Sequence, residues 1–335
     1  MSSAPTPEEI ARDASWLAQA IDADQGLVRL VRMNADAYRN ASFLDDRMFG
    51  ERLDSHILPW AEVAAALTDS MREDARWIFH IGHVGSTLIA RLLGEIDGVL
   101  SVREPRILRD LEMLPQSRRA ELVPQVRKLL SRSFAPHETA LVKATSFVSE
   151  IAPELVPAGE RALFLYAAPS AYIASILAGP NSVRELAALG PSRARRMSKR
   201  IALPQPRTLA HSAAAAWACE MTTLECAAEA MPDRNIAWAD FDSMLDDMPG
   251  ELAKIATLFG FAAPAGDIEA IATGPLMGRY SKALEHEYTP ALRQELIAQA
   301  KAANHLDIDS ALAMLQSEAE NSPLLARALD RSKEP

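Results

Sequence analysis

The sequence predicts an α/β fold, a parallel β-sheet flanked by helices with a helical extension in front of it. Three observations predict it. Short apolar runs of buried-strand length recur along the chain: Trp77-Ile78-Phe79, Val99 to Val102, Thr139-Ala140-Leu141-Val142, Ala162 to Tyr166 and Asn235-Ile236-Ala237-Trp238. Helical patterns separate them, the alternation expected of a parallel sheet. The first run leads through a tight segment, Gly82-His83-Val84-Gly85-Ser86-Thr87, into a helix with Leu88, Ile89, Leu92 and Leu93 on one face.

Residues 5–70 read as helical. Trp16, Leu17, Ile21, Leu27 and Leu30 recur at helical spacings, and Ile57, Trp60, Val63 and Leu67 do so again. Tyr38 to Leu44, between the two sets, is a turn or a short contact loop. No Pro/Gly/Ser-rich linker lies near residue 70. The expected organisation is a helical extension over 1–70, a packing or lid element, on an α/β domain over 71–335. Beyond the second run a helical stretch reaches about Phe134. Further helices are expected around Tyr172 to Leu177, from about His211 to Met231 and from Glu251 to Gly260, where the glycine is a stop signal.

The chain has 335 residues, 49% apolar and 24% charged, enough for a sizeable core. A net charge of −10 argues against broad nucleic-acid binding. No apolar run approaches the roughly 20 residues of a membrane span. The start, MSSAPTPEEIARDA, lacks a basic region followed by an apolar one, so no signal peptide is expected. Cys219 and Cys226 lie along one helical pattern, about 10 Å apart, too far for a disulfide. These features lead to the expectation of a cytoplasmic protein. His80 and His83 have no cysteine or carboxylate clustered with them, so no metal is expected. Oligomeric state has no signature.

Strand, glycine turn and helix together aim backbone N–H groups and the positive end of a helix at an anion. Ser86 and Thr87 add hydroxyl donors. The second apolar run delivers Arg103-Glu104-Pro105-Arg106 to the sheet edge where ligands bind in open α/β folds. The third delivers Lys143, a candidate to stabilise charge on a transferring group. The loop departs from the nucleotide triphosphate pattern G-x-x-x-x-G-K-[ST], because His80 and Ser86 stand where glycine and lysine are required. The fourth run ends in Ala167-Ala168-Pro169 and supplies no magnesium-binding Asp. The loop suits a phosphate-like group handled without a metal.

Here the chain resembles the sulfotransferases, which move a sulfuryl group from 3′-phosphoadenosine 5′-phosphosulfate (PAPS), in the style of the bacterial and tyrosylprotein-type branches. His83-Val84-Gly85-Ser86-Thr87 is similar to the family's K/R-x-G-[ST]-T loop, and the resemblance runs as an ordered series from about Trp77 to Lys282. It implies a P-loop-type sheet and PAPS as co-substrate, with His83, Gly85, Ser86 and Thr87 on the 5′-phosphosulfate. It implies Glu104 as general base and Lys143 as charge stabiliser, and Arg106 is a candidate partner for Glu104 or the acceptor. Ser175 stands at the offset of the family's 3′-phosphate serine, but Ala167 replaces the arginine that usually accompanies it. Gly278-Arg279-Tyr280-Ser281-Lys282 resembles the loop that closes over the cofactor, which brings in Arg279, Ser281 and Lys282. Trp238 to Leu245 and Leu258-Phe259-Gly260 resemble later family turns.

The basic run Arg184, Arg193, Arg195, Arg196, Lys199 and Arg200 is a solvated face, a lid over an anionic cofactor or acceptor, or a protein contact, on a mobile loop or a broken helix with Gly179-Pro180-Asn181 and Gly190-Pro191. The implied activity is sulfuryl transfer to a hydroxyl or amine of a small-molecule or peptide acceptor. Two alternatives remain: a metabolite kinase, and a non-catalytic nucleotide- or ligand-binding module on the same fold.

Overall fold

The computed structural model describes residues 3–50, 53–283 and 285–333. Its N-terminal segment departs from the helical expectation. Strands β1 (Trp16–Asp22), β2 (Leu27–Arg32) and β3 (Ser55–Pro59) form an antiparallel sheet in the order β1-β2-β3. The reason lies at residues 22–26. The Asp22 carboxylate accepts from the backbone N–H groups of Asp24 and Gln25, at 3.1 and 3.0 Å, and Gly26 adopts φ +65°. That turn divides the apolar pattern into two pieces too short for stable helices and long enough for strands. Helical spacing among Leu27, Leu30 and their neighbours was incidental. Only short helices remain here, Pro7–Arg12, Ala35–Asn40 and Trp60–Ala65. The small sheet is tied to the rest of the chain where Ile21 N–H donates to Asp110 at 3.0 Å.

The five apolar runs become β4 (Arg76–His80), β5 (Val99–Arg103), β6 (Thr139–Lys143), β7 (Arg161–Tyr166) and β8 (Asn235–Asp240). All pair in parallel, in the order β5-β6-β4-β7-β8. Helices cover both faces, so the inner strands are buried on both sides and read as continuous apolar runs. Ile78, Phe79, Leu141, Val142, Leu163 and Phe164 are fully enclosed. Among the described residues no helix is long and apolar enough to cross a membrane.

β4 lies in the middle and its exit is held from both sides. Ala144 N–H donates to Ile78 O from the β6 side at 2.9 Å, and Ile81 N–H donates to Leu165 O on β7 at 3.2 Å. The chain then turns through residues 82–85 into the Ser86–Leu93 helix, with Gly85 as N-cap at φ +59°. Glycine is required there twice over. The conformation is left-handed, and a Cβ would stand 2.0 Å from the Phe241 ring.

Candidate active site

The loop after β4 is shaped by a histidine in the place of the missing glycine. His80 is buried, and its Nε2–H donates to Ala144 O at 2.9 Å while its Nδ1 accepts from Gly82 N–H at 2.9 Å. Both ring nitrogens are engaged as in neutral imidazole. Burial, with Lys143 nearby, pushes its pKa well below the usual histidine value. His80 therefore fastens the glycine turn to the end of β6. Among the described residues no group of three or more His, Cys, Asp or Glu side chains is arranged to hold a metal ion.

Glu104 follows β5 with φ +52°, a left-handed conformation rare outside glycine. Its N–H extends the ladder by donating to Lys143 O at 2.7 Å. The carboxylate is 6% exposed and pairs through Oε1 with Lys143 Nζ and through Oε2 with Arg47 Nη2 at 2.9 Å. Burial alone would raise its pKa; Lys143 foremost, with smaller contributions that include Arg47, overcomes that and holds it at about 2. Lys143 is 1% exposed, and burial pulls it down to about 8 although Glu104 works the other way. Its Nζ is also 3.5 Å from Thr87 Oγ1, so the ammonium stands between the carboxylate and the anion loop.

Arg106 does not join this cluster. It is the first residue of its helix and faces outward onto Asp46 and Asp110. One turn further, Arg109 points inward, 3.0 Å from Asp45 and 3.8 Å from Glu104. Arg47 pairs with Asp45 at 2.7 Å and lies over the Phe43 ring, 3.3 Å from its centroid. Sequence reasoning missed Arg47, Asp45 and Arg109, because nothing local links residues 45 and 47 to a strand end so far along the chain.

Two cavities meet at the loop. A transfer cavity of about 300 Å³ contains Glu104, Lys143, Ser86 and Thr87, with Gly82 in its wall. A second, of about 450 Å³, is lined by Phe241, Tyr280 and Tyr288, with Ser175, Arg279 and Arg293. They share His83, Gly85, Ser281 and Lys282. His83, at φ +57°, lies 3.7 Å from Glu185. Ser175 Oγ donates to Tyr172 O at 2.8 Å. The structure thus brings together every expected site residue except Arg106.

The basic run is in part a solvated face, since Arg184, Arg195 and Lys199 are exposed, while Arg193, Arg196 and Arg200 are tied inward. Pro180–Met197 is one helix that continues through Pro191. Arg193 and Arg196 are buried against Glu220, and Arg196 and Arg200 pair with Glu150. These pairs pin the last turn and take up the charge. Ala167 is also interior, with its carbonyl accepting from Trp217 Nε1 at 2.9 Å. An arginine there would be forced into packed core, so this turn is built for a small side chain.

The result is an α/β protein with a five-stranded parallel sheet flanked by helices, an anion-type loop at its centre and a buried carboxylate–lysine pair beside that loop. No protein-family model matches the chain, and no curated protein does. Among solved structures it is similar to the sulfotransferase domain from the curacin biosynthetic pathway, at 12% identity and TM-score 0.47, spanning 70% of this chain and 98% of that one. It is similar also to mouse sulfotransferase SULT7A1 complexed with PAP, at 14% identity and TM-score 0.42, over 77% and 89% of the two chains. A third is the sulfotransferase domain of the Synechococcus PCC 7002 olefin synthase, at 13% identity and TM-score 0.39, over 66% and 86%. Likeness at this level carries no residue's role across.

Proposed function

We propose that the protein is a sulfotransferase, moving a sulfuryl group from PAPS to an acceptor hydroxyl or amine. The observation that carries this reading is the meeting of two cavities at one anion loop, one with aromatic walls and one holding the buried Glu104–Lys143 pair. The residues fit a bisphosphorylated nucleotide. Gly82, at φ +83°, has open space where a side chain would stand. In the aromatic cavity Arg293 is 8% exposed; its Nε donates to Asp242 at 3.0 Å, and its Nη2 has no hydrogen-bond partner among the described residues. Such a buried donor suits an anionic group. Ser175, Arg279, Ser281, Lys282 and Arg293 would hold the 3′-phosphate, and His83, Gly85, Ser86 and Thr87 the 5′ end.

When bound, PAPS supplies a sulfuryl group whose bond to the 5′-phosphate breaks as the acceptor's oxygen or nitrogen bonds to sulfur. Glu104 takes the acceptor's proton. In the resting site Lys143 makes it a weak base. Lys143, whose Nζ already lies 3.5 Å from Thr87 Oγ1, would be shared between Glu104 and an anion held in the loop, and a weaker ion pair would raise the basicity of the carboxylate. Lys143 and the N-terminus of the Ser86–Leu93 helix face the charge that develops on the sulfuryl and bridging oxygens. A sulfuryl group bears less negative charge than a γ-phosphate, in keeping with serine where a triphosphate loop has lysine.

The test is thermal stabilisation. PAP, the product nucleotide, is expected to raise Tm increasingly with its concentration, the stabilisation reaching about 2.7 kcal/mol at a hundredfold excess over Kd. Thr87→Ala is expected to reduce that stabilisation and leave the unliganded Tm unchanged. Stabilisation by ATP with Mg²⁺ in place of PAP would select a kinase. PAP binding without transfer to any acceptor would select a binding module.

A further inference from the structure

A third cavity, of about 430 Å³, meets the transfer cavity at Phe43, Arg47 and Lys282, and touches the aromatic cavity only through Lys282. Its other walls are Met33, Ala37, Ala41, Ser42, Met48 and Leu53, all from the N-terminal segment. We infer that this cavity is the acceptor site and takes a small molecule with an apolar body and one terminal hydroxyl, presented to Glu104 past Phe43 and Arg47. The inference rests on the sulfotransferase reading and specifies its acceptor.

Part of this wall's hydrogen-bonding capacity is already engaged by two buried arginines, at the Ala41 carbonyl and at Ser42 Oγ. Arg103 donates to the carbonyls of Tyr38, Arg39 and Ala41. Arg91 donates to the carbonyls of Arg39 and Asn40, at 3.1 and 3.2 Å, and to Ser42 Oγ at 2.8 Å. What remains towards the cavity is mostly alanine, methionine, leucine and phenylalanine. A sugar or a charged peptide placed there would leave hydroxyls or charges without partners, at a cost of about 1–3 kcal/mol for each buried group. An apolar body loses nothing, and methionines adapt to its shape. The charged side chains of the lining, Arg47 and Lys282, belong to the part it shares with the transfer cavity, where the Arg47 guanidinium lies on the Phe43 ring and reaches Glu104. A single hydroxyl at that end meets the base, and the volume suits a small ligand.

The probe is 2-naphthol, with its binding to the protein–PAP complex followed by its own fluorescence and its sulfation by PAPS followed separately. Met48→Glu, which puts a carboxylate into the apolar wall, is expected to weaken 2-naphthol binding by about tenfold or more. Met48→Leu is expected to retain it, and PAP affinity is expected to be unchanged in both. Leu53→Glu repeats the test from another wall, so that a misfolded Met48→Glu protein does not decide the matter. Glucose is not expected to compete. Undiminished 2-naphthol binding by the folded glutamate variants, or equal competition by glucose, would overturn the inference. Absence of PAP binding would instead remove the sulfotransferase reading, while 2-naphthol binding to the nucleotide-free protein would still report on the cavity.

Discussion

Replacing Glu104 by glutamine is expected to lower transfer at least about a hundredfold, since a positioned general base contributes roughly 10²–10⁴ to rate. Glutamine keeps the size of the side chain but cannot take a proton. The structure adds a second consequence. Lys143 and Arg47 both face this carboxylate, and removing one partner of a buried pair costs roughly 3–5 kcal/mol. The variant should therefore unfold earlier, and activity must be read well below its Tm. Lys143, already lowered by burial, loses the attraction that had raised it and falls further. PAP affinity, for which the proposed contacts are the loop at residues 83–87 and the 3′-phosphate residues and not Glu104, is expected to stay close to the parent's. Undiminished transfer by a folded Glu104→Gln protein would remove the base assignment, and the donor cavity would be unaffected by that result.

Lys143→Met is expected to cost about a hundredfold or more in kcat, the usual loss when one donor to developing charge is removed. Its distinguishing signature is in pH dependence. Glu104 has a folded pKa near 2, below the ordinary 4.5 of a glutamate. Its contribution to stability is complete above about 4.5 and is lost as pH falls towards 2. Without Lys143 the largest influence opposing burial is gone, and the folded pKa rises. Both the acid unfolding transition and the acid limb of kcat/KM are then expected to move to higher pH. A variant that loses activity with its acid limb unmoved would show that Lys143 does not set the charge state of Glu104.

The sheet was legible because its inner strands are buried on both faces and leave continuous apolar runs, as in Leu163-Phe164-Leu165. The anion loop was legible because glycine and hydroxyl residues stand where a strand gives way to a helix. Glu104 and Lys143 could be read as strand ends, but their contact could not, since it depends on β5 and β6 being neighbours. The N-terminal strands were hidden by spacing that fits a helix as well as a hairpin, and the Asp22–Gly26 turn was the signal that separated them. Arg106 and Arg109 differ only in their place around one helical turn, which composition cannot resolve. Arg193, Arg196 and Arg200 of the basic run misled because their acidic partners, Glu150 and Glu220, lie on other elements.

Arg91 joins two parts of the molecule that face different ligands. From the helix behind the anion loop it holds the carbonyls of residues 39 and 40, and its Nε donates to Ser281 O at 2.8 Å on the closing loop. Whatever orders residues 281–282 through this guanidinium also orders the wall at residues 39–42. Thermodynamic reciprocity requires that any factor by which one ligand changes the affinity of the other be returned equally. Saturating PAP should tighten 2-naphthol binding, 2-naphthol should tighten PAP binding equally, and Arg91→Lys should bring both ratios towards one together. Unequal changes in the two ratios would mean that one of the titrations is reporting some event other than equilibrium binding.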